Sequence, residues 1–252
     1  MQVGELFDAA DLAAIYDGRY FERGKYVHDA AGKLEQQRRL KWLYRCGLPP
    51  GGRLLDVGCA TGEFLAAAKG RYEAWGIDIS PQAIETAARE HPDLAERLFA
   101  CPVEQAALPA GAFDAVTLWD VIEHLPDPVD AVNRLKRLLK PDGVLALSTG
   151  NVGALTARAM GRRWALMTPP EHVSFFNRSS LTRLAELCGG RIVRWVSRGK
   201  WVNAGFLIRK LRQMFPEAIP ARVVGAVMDS WLGRRALYVP SGDIMYVGLR
   251  FG

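Results

Sequence analysis

Strand-like and helix-like patterns alternate through the middle of this chain. Arg53–Val57 (RLLDV) is a short, largely apolar run of the length of a buried strand, and Tyr72–Ile77 and Phe113–Trp119 (FDAVTLW) repeat the pattern. Val144–Ser148 and a weaker run at Arg97–Ala100 complete five. Between them Glu63–Lys69, Gln82–Glu90 and Pro128–Leu139 carry helical spacing, with Ser80 placed to cap the second helix and Pro81 to open it. Strands separated by such helices predict βαβ units and a parallel sheet. Upstream, Asp8–Tyr16 and Leu34–Cys46 read as a helical front over residues 1–50 that ends at the breaker Leu48-Pro-Pro-Gly-Gly52.

After residue 150 the rhythm changes. A helix at Ser180–Cys188 closes on Gly189-Gly190, a strand follows at Arg191–Ser197, and Asp243–Phe251 is a last strand. Residues 200–240, basic and amphipathic, are expected to be a helical insertion. With no internal repeat and no low-complexity linker, the expectation is one α/β domain over 1–252. Its parts are the front (1–50), a core (51–199 and 241–252) and an insertion or lid (200–240).

Composition adds two constraints. At 252 residues, 49% hydrophobic and 24% charged, the chain has ample material for a core, which excludes disordered and collagen-like classes. The net charge of +6 is unevenly spread: residues 1–150 hold 17 Lys+Arg against 22 Asp+Glu, and residues 151–252 hold 16 against 5. A basic C-terminal part favours an anionic or lipid-like partner, or is a solvated basic face. The four cysteines have no metal or disulfide spacing, and the first residues show neither a basic leader nor a spanning apolar run, so a cytoplasmic protein is expected.

The candidate chemistry begins at Leu54-Leu-Asp-Val-Gly-Cys-Ala-Thr-Gly-Glu63, a glycine-rich strand-to-helix turn whose backbone can approach a ligand closely. Its spacing is G-x-A-x-G, and Asp56 just before it would repel a pyrophosphate. Asp78, in Gly76-Ile-Asp78-Ile-Ser80, stands about 20 residues further on at a strand end, where a carboxylate can accept ribose hydroxyls or else join a helix-cap network with Ser80. Together they point to an adenosine-type ligand without a pyrophosphate.

LLDVGCATGEFL, GIDISP, FDAVTLWDVIEHLPDP and LKPDGVLALSTGN, in this order, resemble the motifs of class I S-adenosylmethionine (SAM)-dependent methyltransferases over about residues 50–200. The similarity is to the broad group of ubiquinone-pathway, sugar and natural-product O-methyltransferases. The resemblance implies a Rossmann-like seven-stranded sheet, mostly parallel with an antiparallel last strand, and SAM at the carboxyl ends of its strands, leaving as S-adenosylhomocysteine. It implies that Asp56, Gly58, Cys59, Ala60 and Gly62 line the methionine side, and that Asp78 and Ile79 hold the ribose and flank the adenine. Trp119 and Asp120 would lie beneath the methionine. Near the third strand Cys101, Val103 and Glu104 compete for the adenine, and Tyr20, with Tyr16, Phe21 and Tyr26, belongs to an aromatic front that often closes over the cofactor in similar proteins or else serves packing alone.

Two histidines are candidates for catalysis. His172, in Thr168-Pro-Pro-Glu-His172-Val-Ser-Phe-Phe176, would hang over the SAM methyl and take the acceptor's proton, with His124 in support; a loop-anchoring histidine is the other reading. Asp120, Glu123 and His124 match a run that binds a divalent metal in ubiquinone-type relatives, and they can equally cap and pack the next helix. The expected activity is methyl transfer to a small-molecule hydroxyl of a sugar, polyketide or other secondary metabolite. The alternatives are a membrane-associated, metal-using polyprenyl-phenol methyltransferase and a SAM-binding protein without turnover. The insertion would act as substrate lid, dimer contact or peripheral membrane contact, and no RNA-binding module argues for nucleic acid.

Overall fold

The computed structural model describes residues 29–105, 107–169, 171–215 and 217–252. The expected helix Asp8–Tyr16 and the aromatic front with Tyr20 lie outside the described residues. The first described helix, α1 (Ala30–Arg45), starts where Asp29 accepts the Gly32 N–H. It is followed by β1 (Arg53–Val57), α2 (Glu63–Ala68), β2 (Glu73–Asp78), α3 (Pro81–Glu90), β3 (Leu98–Ala100) and β4 (Phe113–Trp119). Then come α4 (Pro128–Leu138), β5 (Leu139–Gly150), α5 (Leu155–Met160), α6 (Arg178–Leu187), β6 (Gly190–Asn203), α7 (Ala204–Met214), α8 (Ala221–Met228) and β7 (Ala236–Phe251). Ser80 caps α3 and Pro81 opens it, as the sequence predicts.

The seven strands form one sheet in the order β3-β2-β1-β4-β5-β7-β6, with β7 antiparallel to both neighbours and every other pair parallel. Alternate residues feed two cores. Leu54, Ala115 and Trp119 face one with Leu43 and Phe64, whereas Leu55, Val116 and Leu118 face the other with Leu135 and Leu184. Helices therefore cover both sides, which is why the parallel strands are apolar almost throughout.

The C-terminal part departs from expectation in one respect. Residues 200–203 and 236–240 are not helical insertion: β6 and β7 run past the sheet as a two-stranded arm in which Lys200 pairs with Val239 and Asn203 with Ala236. The helices are confined to the stretch between, α7 and α8. Pairing supplies what local pattern lacks there. A register shift lies between Arg198 and Lys200, and a Cβ at Gly199 would stand 1.7 Å from the Val239 carbonyl oxygen, so only glycine fits the crossing. Because β6 runs parallel to β5, the arm projects beyond the same sheet edge at which β1 and β4 end. α5 was not anticipated either; it is six residues long and has no side-chain cap.

Candidate active site

At that edge β1 ends in the turn Gly58–Gly62. Gly58 has φ +73°, and a Cβ there would meet Val121 Cγ2 at 2.6 Å, so the turn packs against the loop after β4 only because this residue is glycine. The Gly58 and Cys59 N–H groups both donate to the Ile77 carbonyl, at 2.8 and 3.0 Å. Cys59 Sγ points into the core, where burial raises its thiol pKa well above the ordinary value. Its contribution to the edge is thus backbone alone.

Asp78 joins two turns. Its Oδ2 accepts the Ala60 N–H at 2.8 Å and its Oδ1 the Ser80 N–H at 2.9 Å, while its own carbonyl accepts the Cys101 N–H at 3.0 Å. Burial raises its pKa against those amide hydrogen bonds, and each oxygen keeps a further lone pair for a ligand hydroxyl. Ile79 and Val103 are half-buried. The cap-network reading of Asp78 and the ligand reading are therefore compatible.

Asp56, one residue before the strand end, is buried and accepts a 2.6 Å hydrogen bond from the Thr117 hydroxyl. Burial pushes its pKa up to about 7, and the Thr117 bond and the Arg39 charge limit the rise. Trp119 is buried edge-on to Phe64 at 5.4 Å, with the Arg39 guanidinium 5.4 Å from its ring centroid.

Asp120, in the left-handed region at φ +59°, gathers partners from three elements. Ser148 Oγ donates to it at 2.8 Å, Lys200 Nζ at 2.9 Å and Arg39 Nη2 at 3.0 Å. Burial works to raise its pKa, but the Lys200 and Arg39 charges outweigh burial and hold the carboxyl well below the usual range. Glu35 extends this network: it accepts from Tyr246 Oη and from the Trp201 N–H. Arg39 Nε is buried with no hydrogen-bond partner. Arg39 and Lys200 were missed by sequence reasoning, because nothing local separates Arg39 from Arg38 or Lys41 on a basic helix.

The two candidate histidines meet. The backbone N–H groups of Val173 and Ser174 both donate to the Glu123 carbonyl at 3.0 Å, which lays the 168–176 loop across the turn after β4. The His124 and His172 ring centroids come within 4.7 Å. His124 Nδ1 lies 2.6 Å from the Glu171 carbonyl oxygen and His172 Nδ1 2.8 Å from that of Leu166. A carbonyl only accepts, so we assign the proton of each neutral ring to Nδ1 and the lone pair to Nε2. Glu123 is buried beside them, its Oε2 without a hydrogen-bond partner; burial, then the charge of Asp120, pushes its pKa up to about 7. Among the described residues, the one group of three side chains close enough to share a metal ion is Glu123, His124 and His172. The run Asp120–Glu123–His124 is not brought together, because Asp120 is drawn to Arg39 and Lys200.

A glycine-rich turn, a ribose-competent carboxylate and an imidazole pair thus share one sheet edge, and the family comparison fits this arrangement. Residues 26–194 match the methyltransferase domain family. The chain belongs to the class I SAM-dependent methyltransferases. The ubiquinone biosynthesis O-methyltransferase of Aromatoleum aromaticum is 32% identical over 163 residues, covering 60% of this chain and 69% of that protein. The ubiquinone biosynthesis O-methyltransferase of Xanthomonas campestris pv. campestris (strain B100) is 38% identical over 107 residues, 40% of this chain and 44% of its own length. Among solved structures, magnesium protoporphyrin IX methyltransferase from Synechocystis PCC 6803 with bound SAH shares the fold at a TM-score of 0.63 and 14% identity. The alignment covers 97% of this methyltransferase and all of that one. Among the described residues no helix is long and apolar enough to cross a membrane.

Proposed function

We propose that this methyltransferase transfers the SAM methyl group to a hydroxyl of a small molecule, at the edge where β1, β2 and β4 end. The relatives are named as O-methyltransferases, and the observation that supports a hydroxyl acceptor is the imidazole pair over the turn after β4. In this reading Asp78 takes the ribose, Ile79 and Val103 flank the adenine, and the Gly58–Gly62 backbone lets the cofactor approach. Asp56 and Asp120 face the methionine amino group. Arg39, with Nε buried and unpartnered, suits the methionine carboxylate, since guanidinium and carboxylate match in geometry. The sulfonium is already a strong methyl donor, so the protein aligns the reacting atoms, excludes water and handles one proton. An imidazole with its Nδ1–H held by a carbonyl has Nε2 set to take that proton from the hydroxyl as the oxygen attacks the methyl carbon. Residues 1–252 act in this reading as one catalytic unit, with four free thiols suiting the cytoplasm.

The reading is tested by incubating the protein with methyl-labelled SAM and a panel of phenols, catechols and sugars. Label should appear on an oxygen and fall at least about 100-fold in His172→Ala, the lower end of a general-base contribution. Transfer to nitrogen, or unchanged transfer in both His172→Ala and His124→Ala, overturns it.

One observation favours a lipid-like acceptor as a second reading. The segment from α7 to the arm exposes Phe215, Val223, Met228, Trp231, Leu232, Leu237 and Tyr238 among Arg209, Lys210, Arg212, Arg222, Arg234 and Arg235. Apolar and aromatic side chains interleaved with cations suit an anionic membrane surface. Co-sedimentation with anionic vesicles supports this reading, and protein left in the supernatant removes it.

A further inference from the structure

Asp243, on β7, is a buried carboxylate that the methyl-transfer reading does not use. Its Oδ2 accepts the Trp164 indole N–H at 2.7 Å, Ser241 Oγ donates to its Oδ1, and its backbone carbonyl accepts the Asn151 N–H at 2.7 Å. Among the described residues no lysine or arginine forms an ion pair with it, so neutral donors alone meet its charge. A carboxylate buried in that way is costly to fold, and the charge-assisted bonds it makes are short and directional.

Trp164 opens the segment that carries His172. Its ring is buried with Ala154, Ala157 and Phe175, and its edge lies over Gly150, the last residue of β5. A Cβ at Gly150 would stand 2.9 Å from Trp164 Cη2 and 3.0 Å from Leu166 Cδ1, so the seat exists because this residue is glycine. Gly150 pairs with Ile244, next to Asp243, which puts the seat and the acceptor of the indole N–H side by side on neighbouring strands. The Met167 N–H closes a turn on the Trp164 carbonyl at 2.9 Å, and the carbonyl of Leu166 inside that turn lies 2.8 Å from His172 Nδ1. The chain of contacts thus runs from β7 through the indole to the imidazole.

We propose that Asp243 is a positioning residue for His172, acting through Trp164 and the Leu166 carbonyl. The catalytic consequence rests on the reading of His172 as the base; the placement of the ring stands on the hydrogen bonds. Without Asp243 the indole is no longer pinned over Gly150, the Trp164–Met167 turn is free to shift, and Nδ1 loses the acceptor that keeps its proton there. The ring then divides that proton between its two nitrogens, and the fraction poised to take a proton from an acceptor hydroxyl falls.

The test is ¹⁵N-imidazole NMR of the full chain above neutral pH, where an uncharged ring reports its tautomer, with His172 assigned by comparison with His172→Gln and SAM calorimetry run on the same samples. Wild type should carry the His172 proton on Nδ1. Trp164→Phe keeps a ring over Gly150 but removes the N–H, and should shift His172 toward the other tautomer while SAM affinity stays unchanged. Asp243→Ala should do the same, and the double variant no more than either alone. Asp243→Asn, whose amide oxygen still accepts the indole N–H, should retain the wild-type signal. With the phenol or catechol that accepts label, kcat should fall about 10- to 100-fold in Trp164→Phe, the scale of a small misplacement of a reacting group, with KM little changed. Gly150→Ala presses a methyl group onto Trp164 and Leu166, and should displace the tautomer even where Trp164→Phe does not fold. The wild-type tautomer in folded Trp164→Phe or Gly150→Ala overturns the proposal, as does an Asp243→Asn indistinguishable from Asp243→Ala. A shifted tautomer in Trp164→Phe together with unchanged methyl transfer in His172→Ala breaks the base reading and leaves the positioning standing.

Discussion

The two halves of the site solve the same problem by different means. Around β1–β3 the carboxylate Asp78 is held by peptide N–H groups from the two turns that flank it. Around β4–β7 the carboxylate Asp120 is held by Arg39 and Lys200, which arrive from the front helix and the arm. The first arrangement is local, uncharged on the donor side and nearly independent of the rest of the molecule. The second makes this sheet edge depend on elements remote in sequence.

Breaking either arrangement should have a large effect. Asp120→Ala leaves Arg39 and Lys200 facing each other with their carboxylate gone, and we expect a loss of about 2–4 kcal/mol in urea denaturation, somewhat below a fully buried pair because Asp120 retains some exposure. Lys200→Met should cost less, since Arg39 still neutralises Asp120. Equal losses in the two variants would mean that Arg39 contributes nothing.

Asp78→Ala removes the acceptor of two buried N–H groups, each worth about 1–3 kcal/mol when left unsatisfied. Calorimetry should show SAM binding abolished, and Asp78→Asn, which keeps one acceptor oxygen, should lie between. SAM binding at wild-type strength in Asp78→Ala would put the ribose elsewhere.

Asp56 sharpens the comparison through pH. Its pKa rises on folding to about 7 from an ordinary value near 4, so the folded state holds the proton more tightly and this group destabilises the fold progressively as pH climbs through that window. Asp56→Asn removes the penalty. The variant should be no more stable than wild type at pH 4 and clearly more stable at pH 8, while binding SAM more weakly. A stability difference that does not change with pH would place the Asp56 charge outside the balance.

The smallest effect is expected on the insertion. Trp231→Ala and Leu232→Ser alter exposed side chains and should shift stability by no more than about 0.5 kcal/mol, yet reduce sedimentation with anionic vesicles. Lost stability without lost sedimentation would make them packing residues.

Much of the first half was legible in the sequence because its signals are local. RLLDV and FDAVTLW are apolar runs of strand length, and Ser80-Pro81 announces the start of α3 within two residues. Asp56 and Asp78 stand out for the same reason, as acids at strand ends around a glycine turn. Lys200–Asn203 carries no strand pattern of its own and is a strand only because Ala236–Val239 lies beside it. Arg39, Lys200 and the meeting of His172 with His124 are likewise products of tertiary placement, and the same holds for the exchange of Asp120 for His172 in the three-residue cluster.

The arm also limits how its helical pair can move. β6 and β7 are each one unbroken run from the core sheet to the helices α7 and α8, and their crossing at Gly199 leaves no room for play. A swing of the whole arm would have to shear paired strands and pull Lys200 from Asp120. The cheaper hinges are the two junctions Asn203–Ala204 and Arg235–Ala236, already tied to each other by the Ala204 N–H on the Arg235 carbonyl. Motion of the helical pair is thereby confined to those two junctions, while the paired strands that carry Lys200 stay still.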